Sequence, residues 1–283
     1  MNELQAIILG IVEGLTEYLP VSSTGHLILT QRMMGIPKDA AADAYAICIQ
    51  AGAILAVLGL YWSRMLQMIR GVVGQLTSKT PDSEVGFRLA MNIVVAFIPA
   101  AVIGLLLDDW IESKLFSLWY TVAAWLVGGL AILWVGRWQK RGGDWHVGKD
   151  VEALRWQGAL TIGIIQCIAM WPGTSRSLVT ILGGVLVGMS LSAAVEFSFL
   201  LGVVTLLAAT VYKMKDAGPI MLETYGLGVM IIGSIAAWIA AVIAVKWMVS
   251  YLKRHGMQIF GYYRIALAIA VGVALWMGWL NAA

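Results

Sequence analysis

The chain has 283 residues, of which 60% are hydrophobic and 12% are charged, and its formal net charge is +3. Soluble domains carry about 25% charged residues, so the composition excludes an ordinary soluble protein and predicts a polytopic membrane protein. The small net charge gives no support for nucleic-acid binding. The two cysteines do not have the spacing of metal ligands.

The chain begins with two short apolar segments, residues 3–19 and 22–34, joined by a turn that contains proline and two serines. A membrane span needs about 20 apolar residues, so we expect this pair to form a re-entrant hairpin. Membranes tolerate such backbone only where it is buried in protein or faces a cavity. Three predicted spans follow, at residues 43–62, 89–107 and 118–135.

The same order of elements recurs after a polar stretch at residues 137–155. A second short pair, 156–171 and 178–187, precedes spans at 191–212, 225–245 and 265–280. We therefore predict an all-α polytopic membrane protein with six transmembrane helices and two re-entrant helical hairpins. It forms one integral membrane domain, 1–283, whose halves, about 1–136 and 155–283, are joined by a cytoplasmic loop. Because three spans are an odd number, the second half is inverted, and inverted repeats place binding sites at their interface.

Basic residues are divided unevenly between the two sets of predicted loops. One set carries thirteen lysines and arginines, and the other carries five. By the positive-inside rule the richer set is cytoplasmic, so both termini and the opening of the first hairpin are expected outside. The richer set is Arg64, Arg70, Lys79, Arg88, Arg137, Lys140, Arg141, Lys149, Arg155, Lys246, Lys253, Arg254 and Arg264; the other is Arg32, Lys38, Lys114, Lys213 and Lys215.

Residues 13–26 place two carboxylates, three consecutive hydroxyls and an imidazole inside an apolar context. Ionisable groups at membrane depth are costly and usually functional. Glu13 and Glu17 are four residues apart, so they share one face of a helix. Leu19-Pro20 is expected to end that helix, and a hydroxyl of residues 22–24 then caps the next one.

A second polar turn, Pro172-Gly173-Thr174-Ser175-Arg176-Ser177, repeats this arrangement. The local echo pairs Gly10-x-x-Glu13…Pro20-x-Ser22-Ser23 with Gly163-x-x-Gln166…Pro172-x-Thr174-Ser175. Each turn offers hydroxyls and backbone N–H groups at the start of a helix, where anions bind. Arg176 adds a guanidinium whose planar fork matches phosphate oxygens.

If the two turns meet, the combined set suits phosphate chemistry. Such chemistry needs positive charge, a nucleophile or activated water, and a group that transfers protons. Two glutamates beside a phosphate would repel it, unless a divalent cation lies between them or one of them stays protonated. Both alternatives remain open from the sequence. The residues that would meet are Glu13, Glu17, Ser23, His26, Ser175 and Arg176.

Each of these features also has a structural interpretation. A glutamate pair on a helix face is commonly solvated, and a lone histidine such as His26 is commonly structural. Hydroxyls after proline commonly only cap a helix. Arg176 is compatible with a structural ion pair to a glutamate, which does not exclude phosphate binding. Glu196 is interpreted as a helix-start charge or a structural partner.

Residues 13–27 and the stretch Pro-Gly-Thr-Ser-Arg-Ser at 172–177 closely resemble the two signature motifs of the bacterial undecaprenyl-pyrophosphate phosphatase family. Residues 50–57 and 196–201 are also similar to family stretches, so the resemblance covers essentially the whole chain. It implies an inner-membrane hydrolase that removes one phosphate from undecaprenyl diphosphate and confers bacitracin resistance when overproduced. It also implies dependence on a divalent cation, Mg²⁺ or Ca²⁺, two re-entrant hairpins with six spans, and a homodimer.

Carried over by motif, the resemblance makes Glu13 and Glu17 the acidic pair, which is expected to hold the cation or to position water, with Glu17 also counted among the catalytic residues. Ser23 and His26 become the catalytic serine and histidine, and Arg176 the phosphate-binding arginine. Leu178 stands where the family usually has glycine, and a side chain there is expected to crowd the turn. Contacts to the substrate are further expected from Ser22, Thr24, Gly173, Thr174, Ser175 and Ser177.

The interpretation favoured by the sequence is hydrolysis of a polyprenyl diphosphate whose tail lies against membrane lipid and whose head group approaches from the outer side. Ser23 is favoured as nucleophile or phosphate ligand with His26 as acid or base, and the reverse assignment stays open. An inverted repeat with buried charges is also typical of transporters, so a lipid-phosphate transporter or flippase is the alternative. Transport needs no nucleophile, which favours the hydrolase.

Overall fold

The computed structural model describes residues 1–37, 39–77, 80–115, 117–142, 145 and 147–280. Within these ranges the chain is helical and forms no strand beyond one isolated bridge between Lys149 and Met189. Two 3₁₀ turns lie at Val151–Ala153 and Cys167–Met170. The α-helices are α1 Glu3–Thr16, α2 Ser23–Met33, α3 Ala40–Leu60, α4 Trp62–Thr77, α5 Pro81–Leu115, α6 Leu118–Gly142, α7 Trp156–Gln166, α8 Arg176–Leu186, α9 Leu191–Leu252 and α10 Gln258–Trp276.

Six helical stretches in the described ranges are long and apolar enough to cross a membrane. Their number agrees with the prediction, and the protein is a multi-pass membrane protein. Large apolar side chains such as Leu106, Trp134 and Ile243 are exposed on the outside of the fold, as expected where lipid replaces water. The stretches are Ala40–Leu60, Pro81–Leu107, Leu118–Arg137, Leu191–Lys215, Gly218–Leu252 and Gln258–Trp276.

Two elements differ from the sequence prediction. The stretch after the first span is not a loop but the amphipathic helix α4, which packs on α5 where Gly71 meets Gly86. The predicted loop at residues 213–224 is helical, so α9 runs from Leu191 to Leu252 with one non-helical residue, Gly226 (φ 75°, ψ 159°). Lysine, methionine, leucine and glutamate in this stretch are good helix formers, and the helix continues in spite of Pro219.

The two predicted short pairs are present as helix–turn–helix units. Helix α1 has 14 residues and α2 has 11, so at about 1.5 Å per residue neither crosses a membrane alone. The second unit joins α7, which also has 11 residues, to α8 of equal length through a 3₁₀ turn. Each unit therefore presents its polar turn between two short helices.

Small residues allow the short helices to approach their neighbours closely. A Cβ on Gly10 or Gly14 of α1 would overlap backbone oxygens of α9, at Gly233 and Ala237. A Cβ on Gly163 of α7 would likewise overlap the backbone of α5. Each short pair is thus packed on a long helix that follows the other pair in the chain, which brings the two turns together in the interior.

Several positions in the loop charge count lie in helices instead of loops, and Arg264 among them is also buried. Arg264 was assigned to a cytoplasmic loop, but it lies inside α10 and its side chain is 0% exposed. The arginine is buried because backbone carbonyls surround its guanidinium, as described below. Two other members of that count, Lys38 and Lys79, lie outside the described residues.

Candidate active site

Ser22 and Ser175 fix the local geometry of the two turns. They are the N-caps of α2 and α8, and they have φ of 76° and 75° and ψ of 99° and 115°. Among the described residues they are the only non-glycine residues with positive φ. Each hydroxyl accepts the backbone N–H three residues on, from Gly25 at 3.4 Å and from Leu178 at 3.3 Å. Such strained backbone at equivalent places is typical of functional turns.

A chain of three side chains joins the turns. Ser23 Oγ donates to Glu17 Oε2 at 2.5 Å, and Arg176 Nη2 donates to Glu17 Oε1 at 3.0 Å. The Glu17 and Arg176 side chains are only 5% and 10% exposed, so this ion pair is shielded from solvent. A hydroxyl bonded to a base that is itself oriented by a third group is the arrangement of an activated nucleophile.

Arg176 contacts neighbouring groups on three sides, and one of its nitrogen atoms makes no hydrogen bond to the described residues. Its Nη1 donates to the carbonyl of Ser198 at 3.0 Å, and its guanidinium carbon lies 5.4 Å from the centre of the Tyr18 ring. A Cβ on Gly202 would overlap the guanidinium, so only glycine leaves room for it there. Arg176 Nε is buried and has no hydrogen-bond partner among the described residues. A buried guanidinium with an unused N–H is suited to a phosphate oxygen.

Glu13 lies beside Glu17 and is 1% exposed. Its Oε1 is buried without a hydrogen-bond partner in the described part of the chain. The described residues contain no cluster of three or more histidine, cysteine, aspartate or glutamate side chains placed to hold a metal. Because Mg²⁺ commonly takes only one or two carboxylates and completes its shell with water and substrate phosphate, Glu13 and Glu17 still fit such an ion.

A cavity of about 770 Å³ opens next to these residues. Of the predicted site residues it is lined by Glu13, Ser23 and Thr24, whereas Glu17 and Arg176 are not among its lining residues. Its wall is otherwise mostly apolar and includes Trp279. The same wall also carries polar residues that no sequence motif marks as part of the site. Three of them, Arg32, Asp43 and Lys213, take part in polar or ionic interactions. The further polar lining residues are Gln31 and Gln50.

The structure does not bring His26 to the serine–glutamate pair. Its Nδ1 lies 2.7 Å from the carbonyl oxygen of Ser22, which can only accept, so Nδ1 carries the proton. Its Nε2 lies 2.8 Å from the hydroxyl of Tyr263, which donates when the imidazole is neutral. The ring stacks on Tyr263 and meets the Trp125 ring edge-on. In this position His26 supports the first turn from the side of α6 and α10.

The hydroxyls of the second turn are used within the protein. Ser175 Oγ and Ser177 Oγ are 3.0 Å apart, and Ser177 Oγ donates to the carbonyl of Leu19 at 3.0 Å, which links the second turn directly to the first. The N–H of Thr174 donates to the carbonyl of Trp171 at 3.0 Å. Gly173 has φ 91°, and a Cβ there would lie 2.8 Å from the carbonyl oxygen of Thr121. These residues shape the turn.

Leu178 does not crowd the second turn. Leu178 is 1% exposed and belongs to the main hydrophobic cluster, while its N–H still donates to the capping hydroxyl of Ser175. The sequence allows Glu196 to be a helix-start charge or a structural partner. Its Oε1 lies 2.6 Å from Nε of Arg64, so it is a structural partner.

Comparisons with known proteins find relatives over nearly the whole chain. The family described as bacitracin resistance protein BacA matches residues 6–270. The chain is 40% identical to the undecaprenyl-diphosphatase of Acidovorax ebreus (strain TPSY), over 97% of this chain and 96% of that protein. It is 42% identical to the undecaprenyl-diphosphatase of Sorangium cellulosum, over 96% of this chain and 85% of the relative. It is 41% identical to undecaprenyl-diphosphatase 1 of Chromobacterium violaceum, over 98% of this chain and 97% of that protein. The chain therefore belongs to the bacitracin resistance protein BacA family.

Proposed function

We propose that this protein hydrolyses undecaprenyl diphosphate to undecaprenyl phosphate and inorganic phosphate, and so recycles the carrier lipid for cell-wall synthesis. Relatives at about 40% identity over nearly their full length carry the name of this activity. The observation in the fold that supports it is the Ser23–Glu17–Arg176 chain beside a cavity in a membrane protein.

In the first step Ser23 Oγ attacks the terminal phosphorus of the diphosphate. The Ser23 proton passes to Glu17 Oε2, the hydrogen-bonded acceptor 2.5 Å away. The bond between the terminal phosphorus and the bridging oxygen breaks, and undecaprenyl phosphate leaves as an anion that needs no proton. The phosphoryl group stays on Ser23.

In the second step water attacks the phosphorus bound to Ser23. The P–O bond to Ser23 breaks, Glu17 returns its proton to Oγ, and the two protons of the water leave with inorganic phosphate. Both residues are then in their starting states. Ser23 is assigned as the nucleophile because it, and not His26, contacts a carboxylate base.

Positive charge at the site stabilises the phosphoryl oxygens as charge builds on them. Arg176 supplies its unused Nε–H and a fixed charge. Helices α2 and α8 begin at Ser23 and Arg176, so their first N–H groups and dipoles favour an anion at these turns.

Glu13 and Glu17 are the residues that would hold a divalent cation, which we propose to be Mg²⁺ or Ca²⁺. When bound, such an ion neutralises phosphate oxygens near the two carboxylates. The buried, unpartnered Oε1 of Glu13 supports this assignment.

His26 is assigned a positioning role, since its two ring nitrogens are occupied by the Ser22 carbonyl and the Tyr263 hydroxyl. The acid or base role expected from the sequence stays a prediction. Of the other expected substrate contacts, Thr24 is supported by its place on the cavity wall. The remaining ones, Ser22, Gly173, Thr174, Ser175 and Ser177, are proposed to act through their turns.

The α1–α2 and α7–α8 units are proposed to be re-entrant hairpins of an inverted repeat, with halves 1–136 and 155–283. Their short helices and their matched turns support this arrangement. An inner-membrane location is proposed from the family resemblance, and the charge count supports a cavity open to the outer side. The polyprenyl tail is proposed to lie against membrane lipid, and the protein to act as a homodimer.

The test is release of inorganic phosphate from undecaprenyl diphosphate by the purified protein, with and without EDTA. We expect release that EDTA abolishes and that Ser23→Ala lacks, while undecaprenyl phosphate appears in equal amount. Folded protein that releases no phosphate would refute the hydrolase. Counter-current uptake of lipid phosphate into liposomes under the same conditions would then support the transporter.

A further inference from the structure

Arg264 connects both turns to the surrounding helices, although nothing in the sequence motifs includes it. Its side chain lies between α6 and the two turns and is 0% exposed. Its guanidinium donates four hydrogen bonds, all to backbone carbonyls. They are Nε to Trp125 at 3.3 Å, Nη1 to Pro20 at 3.2 Å, Nη2 to Ala124 at 2.8 Å and Nη2 to Gly173 at 2.9 Å.

Burial of the charged Arg264 side chain costs free energy. Arg264 forms no ion pair within the described ranges, so neutral carbonyls alone compensate its charge. Only a planar guanidinium donates in several fixed directions at once. Arg264 therefore fixes the turn carbonyls of Pro20 and Gly173 relative to α6, in addition to satisfying them.

The two turn carbonyls have equivalent positions. Pro20 precedes Ser22, with its positive φ, by two residues, and Gly173 precedes Ser175 in the same way. Three residues after these carbonyls come Ser23 and Arg176, the two ends of the side-chain chain through Glu17. A guanidinium that holds both carbonyls therefore sets the distance between the proposed nucleophile and the phosphate-binding arginine.

The neighbouring helix leaves room for this guanidinium. A Cβ on Gly128 of α6 would overlap Nη2 of Arg264. Gly202 leaves room for Arg176 in the same manner. The position of the Arg264 head group is therefore defined by α6 on one side and by the two turns on the other.

We propose that Arg264 is a positioning residue for phosphoryl transfer. It holds the turns of α1–α2 and α7–α8 at the separation that aligns Ser23, Glu17 and Arg176, without touching the substrate. This inference rests on the proposed hydrolase function. It concerns the turnover step, because Arg264 is not among the residues that line the cavity.

The test compares kcat and KM of Arg264→Lys and Arg264→Met with wild type, per folded molecule, on undecaprenyl diphosphate. Folded protein is counted by monodisperse elution and by thermal unfolding in the same detergent. Misplacement of reacting groups by about 1 Å costs roughly 100-fold in rate, so we expect a kcat loss of that order and a KM within about threefold. Arg264→Lys keeps the charge but cannot reach both turns, so it should not restore kcat.

Gly128→Ala displaces the guanidinium while Arg264 itself is kept, and it should lower kcat in the same way. Gly59→Ala is its control, because a Cβ there meets nothing within 4 Å. Asn92→Leu is the control for loss of a buried donor, since Asn92 Nδ2 donates to the carbonyl of Leu154. Both controls should keep the wild-type kcat per folded molecule.

Three results would overturn the positioning role. The first is wild-type kcat in folded Arg264→Lys or Arg264→Met, and the second is an equal kcat loss in Asn92→Leu. The third is failure of Arg264→Lys, Arg264→Met and Gly128→Ala all to fold, which would make the arginine purely structural. Absence of phosphate release from wild type is a different outcome, because it refutes the hydrolase instead.

Discussion

Ser22 and Ser175 begin α2 and α8 with nearly the same backbone geometry, and each hydroxyl accepts the N–H of the residue three positions later. The same spacing along the chain relates Gly10 to Gly163 and Glu13 to Gln166. The following residue differs, however: Ser23 after the first serine and Arg176 after the second. Two similar turns thus supply different chemical groups to one site.

The second turn requires glycine at position 173. We expect Gly173→Ala to lower the unfolding temperature and phosphate release together, because it adds both left-handed backbone strain and a contact with the Thr121 carbonyl. The strain alone costs about 1–2 kcal/mol. Thermal unfolding and the phosphate assay measure the two effects.

Gly188→Ala is the matched control for that change. Gly188 also has φ 91°, but a Cβ there meets nothing within 4 Å. It should show the backbone cost alone and keep its turnover per folded molecule. Equal behaviour of the two variants would mean that the Thr121 contact is unimportant.

Gly202 controls the position of Arg176. We expect Gly202→Ala to reduce kcat about 100-fold, since the new Cβ overlaps the guanidinium and moves it from Glu17. Initial-rate kinetics check this, and Gly228→Ala, where the added Cβ has open space, should be close to wild type. A Gly202→Ala enzyme with normal kcat would show that the arginine tolerates displacement.

Tyr263 and His26 should behave as one unit. We expect Tyr263→Phe to lower kcat about fivefold, the effect of one lost hydrogen bond of about 1 kcal/mol. His26→Ala should lower it further, and the double variant should match His26→Ala alone. Tyr262→Phe, whose ring is 64% exposed, is the control. Additive losses would separate the two residues.

Glu13 should determine the metal dependence. We expect Glu13→Gln to raise the Mg²⁺ concentration for half-maximal phosphate release by about tenfold or more, because one carboxylate ligand is lost. A Mg²⁺ titration measures this, with Glu3→Gln on the same helix as the control. An unchanged titration curve would remove Glu13 from the cation site.

Much of the fold was predictable because lipid imposes strong rules on composition. Runs of apolar residues gave six spans near their observed positions, and short runs around polar turns gave the two helix pairs. The contact between the two turns was also predictable, because polar groups buried in apolar segments are stabilised when they pair with one another. The contacts of Arg176 with Glu17 and of Ser177 with Leu19 confirm it.

The register of the echo between the turns was wrong by one residue. The sequence aligned Pro20 with Pro172, whereas the matched backbone of Ser22 and Ser175 aligns Pro20 with Gly173. Proline and glycine both occur in turns, so residue type alone does not fix the alignment. The spacing that relates Gly10 to Gly163 and Glu13 to Gln166 favours the second register, and the dihedral angles of the two serines agree with it.

The sequence does not predict the directions of the His26 and Arg264 side chains, because they depend on partners that are distant along the chain. His26 turns to Tyr263, which lies 237 positions later in the chain. The sequence predicts a loop position for Arg264 because it precedes an apolar run. An arginine this close to a span, however, also indicates a functional role. The partners of the two residues come from α6, α10 and the turns, which no local pattern identifies.

The most direct measurement of the central claim is the turnover of Glu17→Gln on undecaprenyl diphosphate at saturating Mg²⁺. The amide keeps the size of the side chain but cannot accept the Ser23 proton, so we predict a kcat loss of about 100-fold or more. Glu152→Gln, which loses only the 2.8 Å pair with Arg64, should keep wild-type turnover. Wild-type turnover in folded Glu17→Gln would contradict the account, because the proton of Ser23 would then have another acceptor.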